Sequence, residues 1–119
     1  MQEKKSSLLW AVARIQMSSI KIRTKRKDGE TQIRMLIAHP MEHGRNRDAK
    51  TNALIPAHFI QELTVKLNKN VIINGKIGAN ISRDPFFAFM LRGGNVGDKI
   101  TISWLDNLGN KDTQVHVVK

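Results

Sequence analysis

Three features of the sequence predict an all-β fold. Apolar and polar residues alternate over short runs, glycine and asparagine turn chemistry separates those runs, and no stretch shows the three-to-four-residue spacing of a helix. The chain has 119 residues, the size of one domain. About seven strands at this spacing predict an immunoglobulin-like antiparallel β-sandwich, although the bridging cysteines and tyrosine corner of antibody domains are missing.

Residues 20–26 place Ile20, Ile22 and Thr24 on one face and Lys21, Arg23 and Lys25 on the other. Asp28-Gly29 is a two-residue hairpin signal, and residues 31–38 return with Ile33, Met35 and Ile37 on one face. Pro40 ends that strand and favours an extended His39. Met41 to Asn52 reads as a long polar loop in which Gly44 is free to take positive φ. Phe59 to Leu67 is a third strand, with Phe59, Leu63, Val65 and Leu67 sharing a face and Ile60, Glu62, Thr64 and Lys66 the other. After the turn Asn68-Lys69-Asn70, residues 71–77 return with Val71, Ile73 and Ile77 inward, and Gly75 and Gly78 mark a candidate bulge.

Phe86 to Leu91 is apolar on both faces, which predicts a central strand or one with a face against a partner. Arg92 to Asp98 is a glycine-rich connection, without the strand–loop–helix context or Lys-Ser/Thr ending of a phosphate loop. Ile100, Ile102 and Trp104 alternate into the turn Asp106–Asn110, and residues 112–118 close the chain.

Composition narrows the chemistry. With no cysteine, disulfides, thiolate nucleophiles and zinc knuckles are excluded. Lys and Arg number 20 against 10 Asp and Glu, a net charge of +10 that points to an anionic partner or to a solvated basic surface. Aromatics make up only 5%, few for a single-strand binder that stacks bases. No run approaches the ~20 apolar residues of a membrane span. Residues 1–16 read as a disordered or extra extension before a domain at 17–119. Lys4-Lys5 and Leu8 to Ala13 imitate a signal peptide, but the apolar run is too short; a single amphipathic turn docked through Trp10 is the alternative.

Met35 to Ile60 holds three of the four histidines and two of the three prolines. His39, Glu42, His43 and His58 are ligand types for zinc, copper or nickel. Pro40 breaks the helical i, i+4 geometry that would bring His39 and His43 to one ion, and fixing the loop by hydrogen bonds is the commoner role for such histidines. Ser82, Ser103, Asp84, Asp98 and Asp106 have neither a nucleophile elbow nor paired-carboxylate spacing, so no enzyme, cofactor or metal is expected.

Ile20-Lys21-Ile22-Arg23, the Asp28-Gly29 turn, Ile37-Ala38-His39-Pro40-Met41-Glu42 and Ile55-Pro56-Ala57-His58-Phe59-Ile60 resemble the SoxZ family, as do Phe89, Arg92-Gly93-Gly94, Gly97-Asp98 and Ser103-Trp104-Leu105-Asp106-Asn107. The resemblance implies the non-catalytic Z subunit of the SoxYZ thiosulfate-oxidation carrier. Its partner would be SoxY, whose C-terminal cysteine bears the sulfur intermediates while other Sox enzymes act on them in turn. It further implies periplasmic work after export with SoxY, with no nucleic-acid or membrane partner; whether an unpaired chain stays a monomer or forms a homodimer through the same surface is left open by the sequence. In that reading His39, Pro40, Met41 and Glu42 shape the loop, His58 and Phe59 hold its far end, and Arg45, Arg47 and Arg92 attract the anionic sulfur group. The competing reading is a basic nucleic-acid-binding β-module.

Overall fold

The computed structural model describes residues 18–119. The readings of residues 1–16, and the docking of Trp10, lie outside them. Seven strands run in order: β1 (Ile20–Lys27), β2 (Glu30–Ile37), β3 (Ile60–Leu67), β4 (Asn70–Lys76), β5 (Phe86–Arg92), β6 (Lys99–Asp106) and β7 (Lys111–Val117). They form two antiparallel sheets, ordered β1-β2-β5 and β4-β3-β6-β7. Among the described residues there is no helix, and the expected all-β sandwich is borne out.

The β1–β2 turn is made by Asp28 (φ 53°) and Gly29 (φ 77°), the two left-handed residues of a type I′ hairpin. That turn sets the register, from Lys27↔Glu30 to Ile20↔Ile37. With the register fixed, alternation puts Ile33, Met35 and Ile37 inward, where they are fully buried against Leu63 and Val65 of β3 and Ile100, Ile102 and Trp104 of β6. Thr31 is also fully buried, and its hydroxyl donates to the Gly93 carbonyl at 2.7 Å, tying the hairpin to the chain leaving β5.

Four expectations need correction. Ile60 was expected on the face of β3 opposite Leu63 and Val65. A register irregularity between Ile60 and Glu62 turns it into the core, where it is buried beside Leu63. Val71 was expected inward, but a second irregularity opposite Val65/Lys66 leaves it exposed and brings both Ile72 and Ile73 against the core. The irregularity falls there and not at Gly75 or Gly78, which have ordinary φ. Finally, β5 is not central. Among the described residues it pairs with β2 alone and forms the edge of the three-stranded sheet.

The two sides of the sandwich differ. Between β1 and β7 the seam is tied by Ser18, Ser19 and Asp112, with Ser19 N–H and Oγ–H donating to Asp112 Oδ2 at 2.8 and 2.7 Å, and by Thr24 with His116 at 3.0 Å. Burial pushes the Asp112 carboxyl up, but these hydroxyl and amide donors bring it below its ordinary value. On the opposite side, β5, β4 and the residue after β4 present Phe87, Phe89, Leu91, Ile72 and Ile77, all only partly buried. The Phe87 and Phe89 rings stack in parallel, 6.5 Å apart.

Gly94 sits at φ 79°, and a Cβ there would meet Thr31 Oγ1 at 2.8 Å. Gly94→Ala should therefore cost about 1–3 kcal/mol in urea unfolding. Gly75 has ordinary φ and open space around it, so Gly75→Ala in the same assay should be neutral or stabilising by about 0.5 kcal/mol.

Candidate functional site

Beyond Ile37 the β-ladder continues for one bond, Ala38 N–H to the Ser19 carbonyl at 2.8 Å. His39 is then clamped by Asp84: its N–H donates to Asp84 Oδ1 at 2.9 Å, and Asp84 N–H returns to the His39 carbonyl at 3.0 Å. Met41 adopts φ 49° and buries its side chain, and its sulfur faces the Ile60 N–H at 3.4 Å. Glu42 and His58 exchange both backbone bonds, at 2.7 and 2.8 Å. Residues 42–58 thus fold back on themselves as an irregular ribbon, with a second bridge at Arg47↔Leu54. Asp48 closes its tip, where the Lys50 and Thr51 N–H groups donate to Oδ1 and lower its carboxyl pKa. Gly44 (φ 89°) packs its backbone near Ala57, leaving only 3.2 Å between a Cβ placed there and that of Ala57.

The ribbon's base rests on one carboxylate. Asp106 continues the inward parity of Ile100, Ile102 and Trp104 at the end of β6, and its side chain is fully buried. Its Oδ2 accepts from His58 Nε2 at 2.7 Å, His39 Nε2 at 3.0 Å and Asn110 Nδ2 at 3.2 Å. Its Oδ1 accepts from the Leu108 and Asn110 backbone N–H groups at 3.0 and 2.8 Å. Burial alone would raise this carboxyl, yet the hydrogen bonds from His39, His58 and Asn110 hold it far below the ordinary carboxylate range. The next residue extends the grip: Asn107 Oδ1 accepts the Phe59 N–H at 2.7 Å and its Nδ2 donates to the Ala57 carbonyl at 2.9 Å. The His39 ring meets Trp104 edge-on at 5.1 Å and His58 at 4.6 Å.

His39, His58 and Asp106 bring one ligand atom each within 4.8 Å of the others. His43, also of a metal-ligand type, points elsewhere and accepts the Arg45 N–H at Nδ1. The donor arrangement does not suit an ion. His39 Nδ1 already accepts the Met41 N–H at 3.1 Å, so the ring's proton sits on Nε2 and is given to Asp106. Metal binding at Nε2 would move that proton to Nδ1, where it would face the Met41 N–H.

His39, Met41, Glu42, His58 and Phe59 therefore converge at one end of the sandwich, with Pro40 exposed beside them. Asp106 was the residue that sequence reasoning missed in this role. A carboxylate on the inward parity of a strand needs buried donors, and that parity was the available signal. The three arginines are not brought together. Arg45 is exposed on the ribbon and Arg47 donates to the Asn52 carbonyl at 2.9 Å, whereas Arg92 stands opposite Glu30 in the ladder at the far end of β2, about 23 Å of strand away. The glycine-rich connection beyond Arg92 is no anion cradle: the N–H groups of Gly93, Asn95 and Gly97 go to Gly29 O, Asp98 Oδ2 and Val118 O. A shallow groove of about 330 Å³ runs beside the ribbon, lined by Pro40, Met41, His43 and Arg83 among others.

Hydrogen bonds satisfy every buried polar side-chain atom of the described residues, and buried His39 and Asp106 with half-buried His58 spend theirs on holding a loop. These features define a β-sandwich subunit whose most constrained polar cluster is architectural. The chain matches the family model described as "Sulphur oxidation protein SoxZ" over residues 20–117, and it belongs to that family. It is thereby a subunit of the Sox sulfur-oxidation system, in which the SoxZ family is non-catalytic. No match was found among curated protein sequences.

Because Asp106 is ionised more readily in the fold than when unfolded, its contribution is complete above the unfolded pKa of about 3.9 and is lost as pH falls below it. Asp106→Asn should lower stability at pH 7 by about 2–4 kcal/mol and flatten the loss of stability between about pH 5 and pH 2. Urea unfolding midpoints across that range read both effects. Saturating zinc, or a chelator, should leave the melting temperature of the untagged protein unchanged; a rise with zinc would restore the metal reading.

Proposed function

We propose that this chain is the non-covalent half of a SoxYZ sulfur carrier, pairing one-to-one with a SoxY subunit whose cysteine holds the thiosulfate-derived intermediates. The match to the SoxZ family across 20–117 carries this reading. The composition supports it, because a chain without cysteine cannot itself hold sulfur as a thiol adduct. In this reading the chain is not an enzyme, other Sox proteins contact the pair transiently, and the complex works in the periplasm after joint export. The ribbon at 42–58 and its neighbouring groove then form the surface closest in chemistry to an oxyanion-bearing arm, with Arg45 exposed for it and Arg83 in the groove wall.

Co-expression with a cognate SoxY, followed by light scattering and intact mass after thiosulfate and the Sox enzymes, tests the reading. The expected result is a one-to-one complex with added sulfur mass on the partner alone. A chain that elutes by itself at micromolar concentration would count decisively against it.

A further inference from the structure

The outer face of the β1-β2-β5 sheet is a regular grid set by the ladder. Its rows are Lys21-Leu36-Phe86, Arg23-Arg34-Ala88, Lys25-Gln32-Met90 and Lys27-Glu30-Arg92. Cations fill the β1 column, Arg34 lies directly beside Arg23, and Glu30 is the one carboxylate. Among the described residues no Lys or Arg of this face has a carboxylate within 4 Å, since the salt-bridge contacts all belong to His39, His58 and Asp106. The β5 column is apolar instead, with Phe86 and Met90 each 59% exposed.

Edge strands are normally protected by charge, proline or bulges. Of the four edges here, β1 carries a cation at every second residue, β4 is broken by its irregularity at Ile72, and β7 carries Lys111 and Asp112 and abuts β1 through the tied seam. β5 has no proline or bulge within it and a single charge at its very end. It pairs with β2 through an unbroken register and carries no charge before Arg92. The orientation of its free edge follows from two bonds. Ile37 N–H donates to the Pro85 carbonyl and Gly93 N–H to the Gly29 carbonyl, so the odd-numbered residues 85–93 address the β1–β2 hairpin. The backbone groups of Phe86, Ala88 and Met90 therefore point away from the sheet, with no ladder partner among the described residues.

We propose that the free edge of β5 accepts an extended strand from the SoxY partner, which adds a fourth strand to the β1-β2-β5 sheet. This rests on the partner reading above and specifies its surface. The added strand places apolar side chains beside Phe86 and Met90, and a carboxylate beside Ala88. Ala88 is small, and Arg34 lies on its other side, about 10 Å from an added strand and within reach of an acidic side chain there. A second copy of this chain is the poorer occupant. Antiparallel self-pairing about Phe89 sets Ala88 against Met90, and β5 offers no carboxylate to Arg34. Two copies also bring +10 each to the contact.

Ala88→Pro tests the edge, because it removes an edge-facing N–H and leaves the β2 ladder its donors. Met90→Lys, which keeps every backbone donor, is the second variant. Both are co-expressed with SoxY alongside the wild type, and thermal melts of the isolated variants confirm folding. Strand addition is supported if the wild type forms the heterodimer and both variants bind at least ten-fold more weakly. A wild-type complex that both variants retain at full affinity overturns the edge proposal and leaves the partner reading standing. No wild-type complex overturns both. If the wild-type chain instead holds duplex DNA at physiological salt and Arg23→Glu abolishes that binding while Ala88→Pro leaves the SoxY complex intact, the face is a nucleic-acid surface and the proposal falls.

Discussion

Asp106 places a full charge where water does not reach it, and five N–H donors from three separate stretches of chain must meet it there. An isolated buried carboxylate would be costly enough to stay protonated. Here the hydrogen bonds outweigh the burial. The cost of misplacing any donor is therefore the source of order at this end of the sandwich. His39 sits at the outgoing foot of the 42–58 ribbon and His58 at its returning foot, so one anion sets the distance between the two. A purely apolar base could hold the feet together, but it would not fix which residues meet.

That buttress lies at one end of a sandwich whose two long sides are built differently. Hydrogen bonds through Asp112 and His116 tie one side, while the other leaves phenylalanines and isoleucines half-covered. A solitary domain would gain from covering those rings. A subunit of a multi-protein oxidation system has a reason to leave them, since a partner can supply the cover. The family assignment and the asymmetry of the fold thus lead to the same expectation from independent observations.

The strand pattern was legible because side-chain period two and turn chemistry are local properties, and Asp28-Gly29 behaves as such a pair should. What the pattern could not carry were the places where period two is interrupted. One extra residue near Gln61 reverses Ile60, and another at Ile72 reverses Val71, and neither has a glycine or proline to announce it. The sequence left the position of β5 open for a related reason. A strand apolar on both faces has the same sequence whether a neighbour of its own chain or one of another chain is to cover it. Within the site, the histidines stood out by residue type, but Asp106 looked like an ordinary turn residue. Only its shared parity with Trp104 marked it as buried.

The alternation along β5 also has a kinetic consequence. Phe87, Phe89 and Leu91 have their amides locked in the ladder with β2, while those of Phe86, Ala88 and Met90, one residue away, point off it with no partner among the described residues. Hydrogen exchange along this strand therefore forms a comb of slow and fast sites, with no gradient from end to end. Any process that seals the outer edge converts the comb into a uniformly slow strand. The same seven residues that frame the sheet thus serve as its built-in reporter of occupancy.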